Sequence, residues 1–194
     1  MNRLVVVKIG GSLYDLPDLG LRLRELFARM PRPILIFPGG GLTADAIRDF
    51  DRIHRLGDEA AHWLALRACA LNAHFLARLL PEATVVDRPN DAVAIGIIDP
   101  FAFAVEDESR ADHWPHHWDV TSDSMAVRLA HIAGASRLTL LKSTNWIGAD
   151  WAVAAERGIV DPFFPEAVAR SRIAAIDIMN LREPEAIPRC PSSD

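Results

Sequence analysis

Leu4-Val-Val-Val-Lys-Ile-Gly-Gly-Ser12 is an apolar run, rich in β-branched residues, that stops at two glycines and a serine. Unbroken rather than alternating hydrophobicity predicts a strand covered on both faces, as in a parallel sheet. The pattern repeats at Ile34 to Phe37, which runs into Pro38-Gly39-Gly40-Gly41. Between the two, Leu19, Leu23, Leu26 and Phe27 recur at helical spacing, and Pro31 and Pro33 end that helix. Downstream, Thr43 is placed to cap a helix carrying Ala46, Ile47, Phe50 and Ile53, and after the break at Gly57 a long apolar helix runs from Asp58 to Leu80. Ala83 to Asp87 and Ala92 to Ile98 read as short strands, and Asp99 to Trp118, rich in Pro, His, Asp and Trp, as a long surface loop. Thr121 or Ser122 then caps a helix with Ala126, Leu129, Ala130 and Ala133 on one face, closed by Gly134. Arg137 to Lys142 is a strand, Ser143 to Asp150 a loop, Trp151–Glu156 and Glu166–Arg170 are short helices, and Ile173 to Ile178 is a last buried strand before a coil tail. Strands alternating with helices make this an α/β protein with a mainly parallel sheet.

The composition narrows the function classes. Half of the 194 residues are apolar and 24% are charged, which suits one sizeable globular core. A formal net charge of −5 gives no electrostatic reason to expect nucleic acid as a partner. Cys69 and Cys190 are too far apart in sequence for a disulfide framework or a four-cysteine zinc site, which favours a reducing, cytoplasmic setting. No apolar run approaches the roughly 20 residues that a bilayer requires, and the N-terminus lacks the pattern of a signal peptide. The expectation is a cytoplasmic protein with no membrane and no nucleic-acid partner.

Both glycine turns fall at the ends of strands, where open α/β sheets bind ligands. Glycine lets main-chain N–H groups approach an anion, and a following helix N-terminus adds its own free N–H groups. Lys8 brings a full positive charge to the same mouth, so the set suits a polyphosphate. Either turn by itself could be only a tight strand-to-helix connection; the two together with Lys8 point to phosphate. Neither has Walker A or G-x-G-x-x-G spacing. Asp123 lies in the first turn of its helix, where it could simply complement the dipole, and Lys142 closes its strand, where it could be a rim residue.

In order along the chain, Lys8-Ile-Gly-Gly-Ser12, Pro38-Gly-Gly-Gly41, Thr121-Ser-Asp-Ser-Met-Ala126 and Leu141-Lys-Ser-Thr144 with Gly148 resemble the motifs of the amino acid kinase superfamily. The resemblance covers Leu4 to about Asn180. The strings Trp118-Asp-Val-Thr-Ser-Asp-Ser124 and Gly158-Ile-Val-Asp-Pro-Phe-Phe-Pro165 are most similar to the branch that includes the aminomethylfuran-methanol phosphate kinase of methanofuran biosynthesis. The resemblance implies a three-layer α/β/α sandwich over residues 1–180, with an acceptor-side lobe of about 1–118, a nucleotide-side lobe of about 119–180 and a tail over 181–194. It implies a kinase that uses ATP and Mg2+ on a small-molecule phosphate acceptor in one-carbon carrier biosynthesis, acting as a homodimer or higher homo-oligomer. By the same analogy Lys8 bridges the phosphoryl group in transfer and Gly10, Gly11 and Ser12 hold nucleotide phosphates. Gly39, Gly40 and Gly41, with Thr121 and Ser122, serve the acceptor. Asp123 orients the lysine or helps place Mg2+, Thr144 and Gly148 border the adenine and ribose, and Lys142 has a supporting role.

Two departures stand out: no lysine follows Lys142, and Asp161-Pro162 comes later than the usual Asp-Pro pair. A second cation, where one is needed, would be Lys142, Arg170 or Arg172. A carboxylate acceptor, and a non-catalytic nucleotide sensor or storage subunit, remain as alternatives. His113, His116 and His117 could ligate zinc or nickel but lack a helical or cysteine partner, so no metal ligand is assigned; a solvated loop near the acceptor or an interface are the other readings. Trp114 and Trp118 could line an aromatic acceptor or pack the loop down. His62, Trp63, Cys69 and His74 in the long helix read as packing residues.

Overall fold

The computed structural model describes residues 4–91 and 93–183. The continuously apolar runs become strands β1 (Val5–Ile9), β2 (Ile34–Pro38), β3 (Thr84–Val86), β4 (Ile95–Ile98), β5 (Arg137–Lys142) and β6 (Ala175–Asn180). They form one six-stranded sheet in the order β3-β4-β2-β1-β5-β6, and every pairing among the described residues is parallel. Helices α1 (Leu19–Phe27), α2 (Gly41–His54), α3 (Asp58–Leu79), α4 (Pro100–Asp107), α5 (Ser122–Ile132), α6 (Trp151–Glu156) and α7 (Phe164–Arg170) make the connections.

Alternation along the strands sorts the core into two layers, because successive side chains point to opposite faces. Val5, Val7, Ile9, Ile34, Ile36, Ile95 and Ile97 pack against α1 and the end of α3. Val6, Leu35, Phe37, Leu138 and Leu140 pack against α4, α5, α6 and α7. The result is the α/β/α sandwich that the motif order implied. Parity also puts Lys8 with Val6, and Lys142 with Leu138 and Leu140, on the α5 side of adjacent strands. In register, Lys8 lies opposite Leu140, two residues before Lys142.

Four local expectations need correction. The stretch 99–118 is not one loop: Asp99 accepts hydrogen bonds from the N–H groups of Phe101 and Ala102 and, with Pro100 in the first turn, starts α4. Thr43 does not cap α2, which begins at Gly41; its hydroxyl donates back to Gly40 O at 2.5 Å. Phe50 and Ile53 on α2 are exposed. The last strand, β6, lies at the sheet edge and is half-buried. The tail beyond Glu183 and Cys190 lie outside the described residues.

Candidate active site

The two glycine turns touch. A Cβ on Gly11 would lie 2.1 Å from Gly41 N, and one on Gly39 would lie 2.7 Å from Gly11 N. Gly41 has φ +53°, a left-handed conformation open to glycine at little cost. Gly10 N and Gly39 N are spent on the sheet, donating to Leu141 O and Ile9 O at 2.8 Å each. In the short turn Gly11–Leu13, the N–H groups of Leu13 and Tyr14 bond back to Gly10 O and Gly11 O, which leaves those of Gly11 and Ser12, among the described residues, to an outside acceptor.

Asn72 holds the second turn from behind: its Nδ2 donates to Gly39 O at 2.8 Å, Gly40 O at 2.7 Å and Thr43 Oγ1 at 2.9 Å. Tyr14 adds a bond from its hydroxyl to Gly39 O at 2.9 Å. Nothing in the sequence marked Asn72, one of several polar residues along a long, largely apolar helix.

Beside the turns, Asp123 in the first turn of α5 is buried between two ammonium groups. Lys8 Nζ lies 2.7 Å from Oδ1 and Lys142 Nζ 2.5 Å from Oδ2. These are the chain's two lysines, against nineteen arginines. Burial alone would raise the Asp123 carboxyl, but the charges of Lys8 and Lys142 hold it below the usual carboxylate range. Burial, aided by the Lys8 charge, brings Lys142 down to about 8. The Asp123 carboxylate thus bridges the two ammonium groups, one oxygen in ion-pair contact with Lys8 and the other accepting from Lys142.

Asp161 fixes the start of α5. One of its oxygens accepts from Thr121 N at 3.0 Å, Thr121 Oγ1 at 2.8 Å and Ser124 N at 3.0 Å, and the other from Ser124 Oγ at 2.5 Å. Thr121 therefore serves Asp161 with its side chain instead of capping its own helix. Burial and the neighbouring Asp123 raise the Asp161 carboxyl. Its distance in sequence from Asp123 hid this role.

In front of the glycine turns lies a cavity of about 260 Å3. Gly11, Ser12, Gly40 and Gly41 form its floor, Thr121 and Ser122 one wall, and Phe37, Leu66 and Met125 its apolar interior. Arg48 and Trp118 stand at it, with the guanidinium 4.7 Å from the indole centroid. Asp45 bonds Arg48 at 2.9 Å, and Trp118 Nε1 donates to Asp51 at 2.9 Å. Asp58, His62 and Cys69 of α3 also line the cavity, so this helix is more than packing. Burial pushes the Cys69 thiol up to about 12, which makes it an inert wall. Trp114 is buried against Phe163 and does not reach the cavity.

Thr144 and Gly148 lie in the exposed loop after β5. That loop meets the first turn through Ser143 Oγ and Ser12 Oγ at 2.9 Å, while Gly148 borders a separate open groove of about 490 Å3 with Trp146, Ile147 and Ile176. Arg170 pairs with Glu166 in its own helix and Arg172 is exposed, so neither joins the lysines. Arg182 does come near, donating to Ser12 O at 2.6 Å.

The six-stranded parallel sheet with helices on both faces matches the amino acid kinase-like α/β fold that the motif order implied. No family model matches the chain. The chain is 29% identical over 148 residues, 73% of its length and 67% of the relative's, to the (5-(aminomethyl)furan-3-yl)methyl phosphate kinase of Methanocaldococcus jannaschii. Among solved structures it is similar to uridylate kinase from Archaeoglobus fulgidus, with a TM-score of 0.65 and 15% identity over 93% of this chain and 92% of that one. UMP kinase from Ureaplasma parvum gives 0.64 and 12% over 95% and 92%. Aspartate kinase from Synechocystis gives 0.65 and 13% over 94% of this chain but 38% of the larger one. The curated relative and the structural neighbours are all phosphotransferases.

Proposed function

We propose that the protein is an ATP-dependent kinase that passes the γ-phosphoryl group to a phosphate monoester such as aminomethylfuran-methanol phosphate, giving a diphosphate. The observation that carries this reading is the convergence of Lys8 and Lys142 on Asp123 beside two touching glycine turns. Phosphoryl transfer needs neutralised charge and in-line placement more than covalent help from the protein. An acceptor phosphate oxygen attacks the γ-phosphorus, the bond to the bridging β,γ-oxygen breaks, and ADP departs with that electron pair. Lys8 sits where it can bridge the moving group. The turn Gly10, Gly11 and Ser12 holds nucleotide phosphates through the N–H groups of Gly11 and Ser12. The turn Gly39, Gly40 and Gly41, with Thr121 and Ser122, forms the acceptor side, the N–H groups of Gly10 and Gly39 serving to fix the two turns. Thr144 and Gly148 border the adenine and ribose.

A hydroxyl acceptor would need a base. Both buried carboxylates here are engaged, which suits an acceptor that is already anionic. Arg48 offers it a cation, Phe37 and Trp118 an aromatic wall, and Asp45 and Asp58 acidic partners for an ammonium group. These features favour the aminomethylfuran phosphate over the carboxylate alternative, and Lys142 on Asp123 answers the missing later lysine behind the sensor reading. Mg2+ fits as an ion carried on nucleotide phosphate oxygens and water, where it supplies further charge neutralisation. An ATP-using enzyme belongs in the cytoplasm, and no described helix is long and apolar enough to cross a membrane. Exposed Leu64, Leu71 and Phe75 on α3 support a homodimer, which sedimentation measures.

The test of the reaction is ATP turnover with the furan phosphate, followed by phosphorus NMR. We expect a diphosphate product and a loss of roughly 100-fold or more in Lys8→Ala. ATP binding without transfer to phosphate or carboxylate acceptors would overturn the reading.

A further inference from the structure

The histidines at 113–117 have no ligand partner at helical spacing in the sequence. The fold supplies one. Glu108, directly after α4, brings Oε1 to 2.8 Å from His116 Nε2 and 3.4 Å from His113 Nδ1, and the three atoms lie within 4.8 Å of one another. His116 is held from behind: its Nδ1 lies 2.7 Å from Glu59 Oε2 of α3, and Glu59 is itself fixed by Trp63 Nε1 at 2.6 Å. His62 stacks on the same imidazole, centroids 4.0 Å apart and planes 10° from parallel. The start of the loop is anchored by Arg128, which grips Asp107 and Asp112 with bonds of 2.8–3.1 Å.

We propose that Glu108, His113 and His116 form a binding site for a divalent transition-metal ion, Zn2+ foremost, on the loop that walls the acceptor cavity. Tetrahedral zinc, with bonds of roughly 2.0–2.2 Å, spaces its ligand atoms roughly 3.3 Å apart, a separation that the two contacts to Glu108 bracket. Two imidazoles and one carboxylate suit zinc, nickel or cobalt better than the harder magnesium or calcium. A carboxylate on the far nitrogen of a ligating histidine fixes its tautomer and aims the other lone pair at the metal. Glu59 does this for His116. The exposed side, where Glu108 and His113 reach solvent, leaves a fourth position for water. The loop continues directly into His117 and Trp118, and His62 lines the cavity from α3. A bound ion therefore ties the acceptor wall to α3 and α4. The site is independent of which acceptor, or which reaction, the cavity serves.

The experiment is titration of chelator-stripped full-length protein with Zn2+ against a chromophoric chelator, with Co2+ as a spectroscopic probe. One equivalent of Zn2+ is expected, with a Co2+ band of low-coordinate type and a raised melting temperature. His113→Ala and His116→Ala should each lose affinity by about 100-fold or more, and Glu59→Gln by about 10-fold. Glu108→Gln keeps a hydrogen bond to His116 and so separates lost ligation from lost structure; it too should weaken binding. His74→Ala, on the exposed part of α3, should bind as the wild type does. The proposal is overturned if the wild type retains no Zn2+, or if Glu108→Gln and His116→Ala titrate like His74→Ala; the Glu108–His116–Glu59 chain is then a hydrogen-bonded brace alone.

Discussion

At the residue scale, one buried carboxylate between the two lysines of the chain is the most consequential feature. Removing the charge of Asp123 leaves two ammonium groups facing each other away from water. Asp123→Asn should therefore lower stability by about 3–5 kcal/mol in urea denaturation, and activity should fall with it. Lys142, at about 8 in the fold against an ordinary 10.5, carries fewer protons there than in the unfolded chain between these two values. Its contribution thus makes the fold more stable as pH rises from 8 to 10.5. Activity should move the opposite way, since deprotonation removes a positive charge from the phosphate site. The expected kcat/KM profile falls above a pH of about 8, and Lys142→Arg, which stays protonated, should move that limb to higher pH. A flat profile through that range would remove Lys142 from the reaction. The residues at this site differed in how readable they were. Lys8 and the glycines could be found because strand, turn and charge are contiguous. Asn72 could not, and Asp161, although its Asp-Pro pair stands out in the sequence, gave no sign of its role, because each acts across the fold on a partner that only tertiary packing brings near.

At the element scale, the start of α5 and the two glycine turns are the pieces that must hold still. Asp161→Ala strips four hydrogen bonds from the first turn of α5 and strands buried donors, each costing about 1–3 kcal/mol. The melting temperature should fall, and kcat more than KM, because Asp123 sits in the turn that is released; Asp161→Asn should recover part of both. Gly11→Ala drives a methyl group into the backbone of Gly41, so the turns must separate at a cost of about 1–3 kcal/mol. Loss of ATP-dependent thermal protection in that variant would show that the contact shapes the phosphate cradle. Most elements were legible because a continuous apolar run and a 3.6-residue period are distinct patterns. The helix α4 escaped because its cap, Asp99-Pro100, lies in a stretch whose Pro, His and Asp content reads as coil. Apolar Phe50 and Ile53 obeyed a helical period yet face outward, since periodicity identifies a face and not what covers it.

At the scale of the whole molecule, the question is whether acceptor and nucleotide sides form one cooperative unit. A division near residue 118 would fall between α4 and α5. The sheet does not respect it: β1 pairs with β2 on one side and β5 on the other, and one hydrophobic cluster joins Leu35 and Phe37 to Leu138, Leu140 and Phe164. Arg128 of α5 also grips Asp107 at the end of α4. Separating the halves would open the sheet between β1 and β5 and divide the cluster on the α5 side, so the N-terminal half would keep its layer against α1 but lose the cover of its other face, and the C-terminal half would have no complete core. Denaturation should then be a single two-state transition. The tryptophans make this a sharp test. Trp63, Trp114, Trp146 and Trp151 all pack in or against the layer on the α5 side, whereas far-UV circular dichroism reports helices of both layers. Coincident curves from fluorescence and dichroism, shifted together to higher urea by ATP through its binding to the native state alone, are the expected outcome. A fluorescence transition that precedes the loss of α1 and α3 helicity would show that the layers unfold separately and would overturn the single unit.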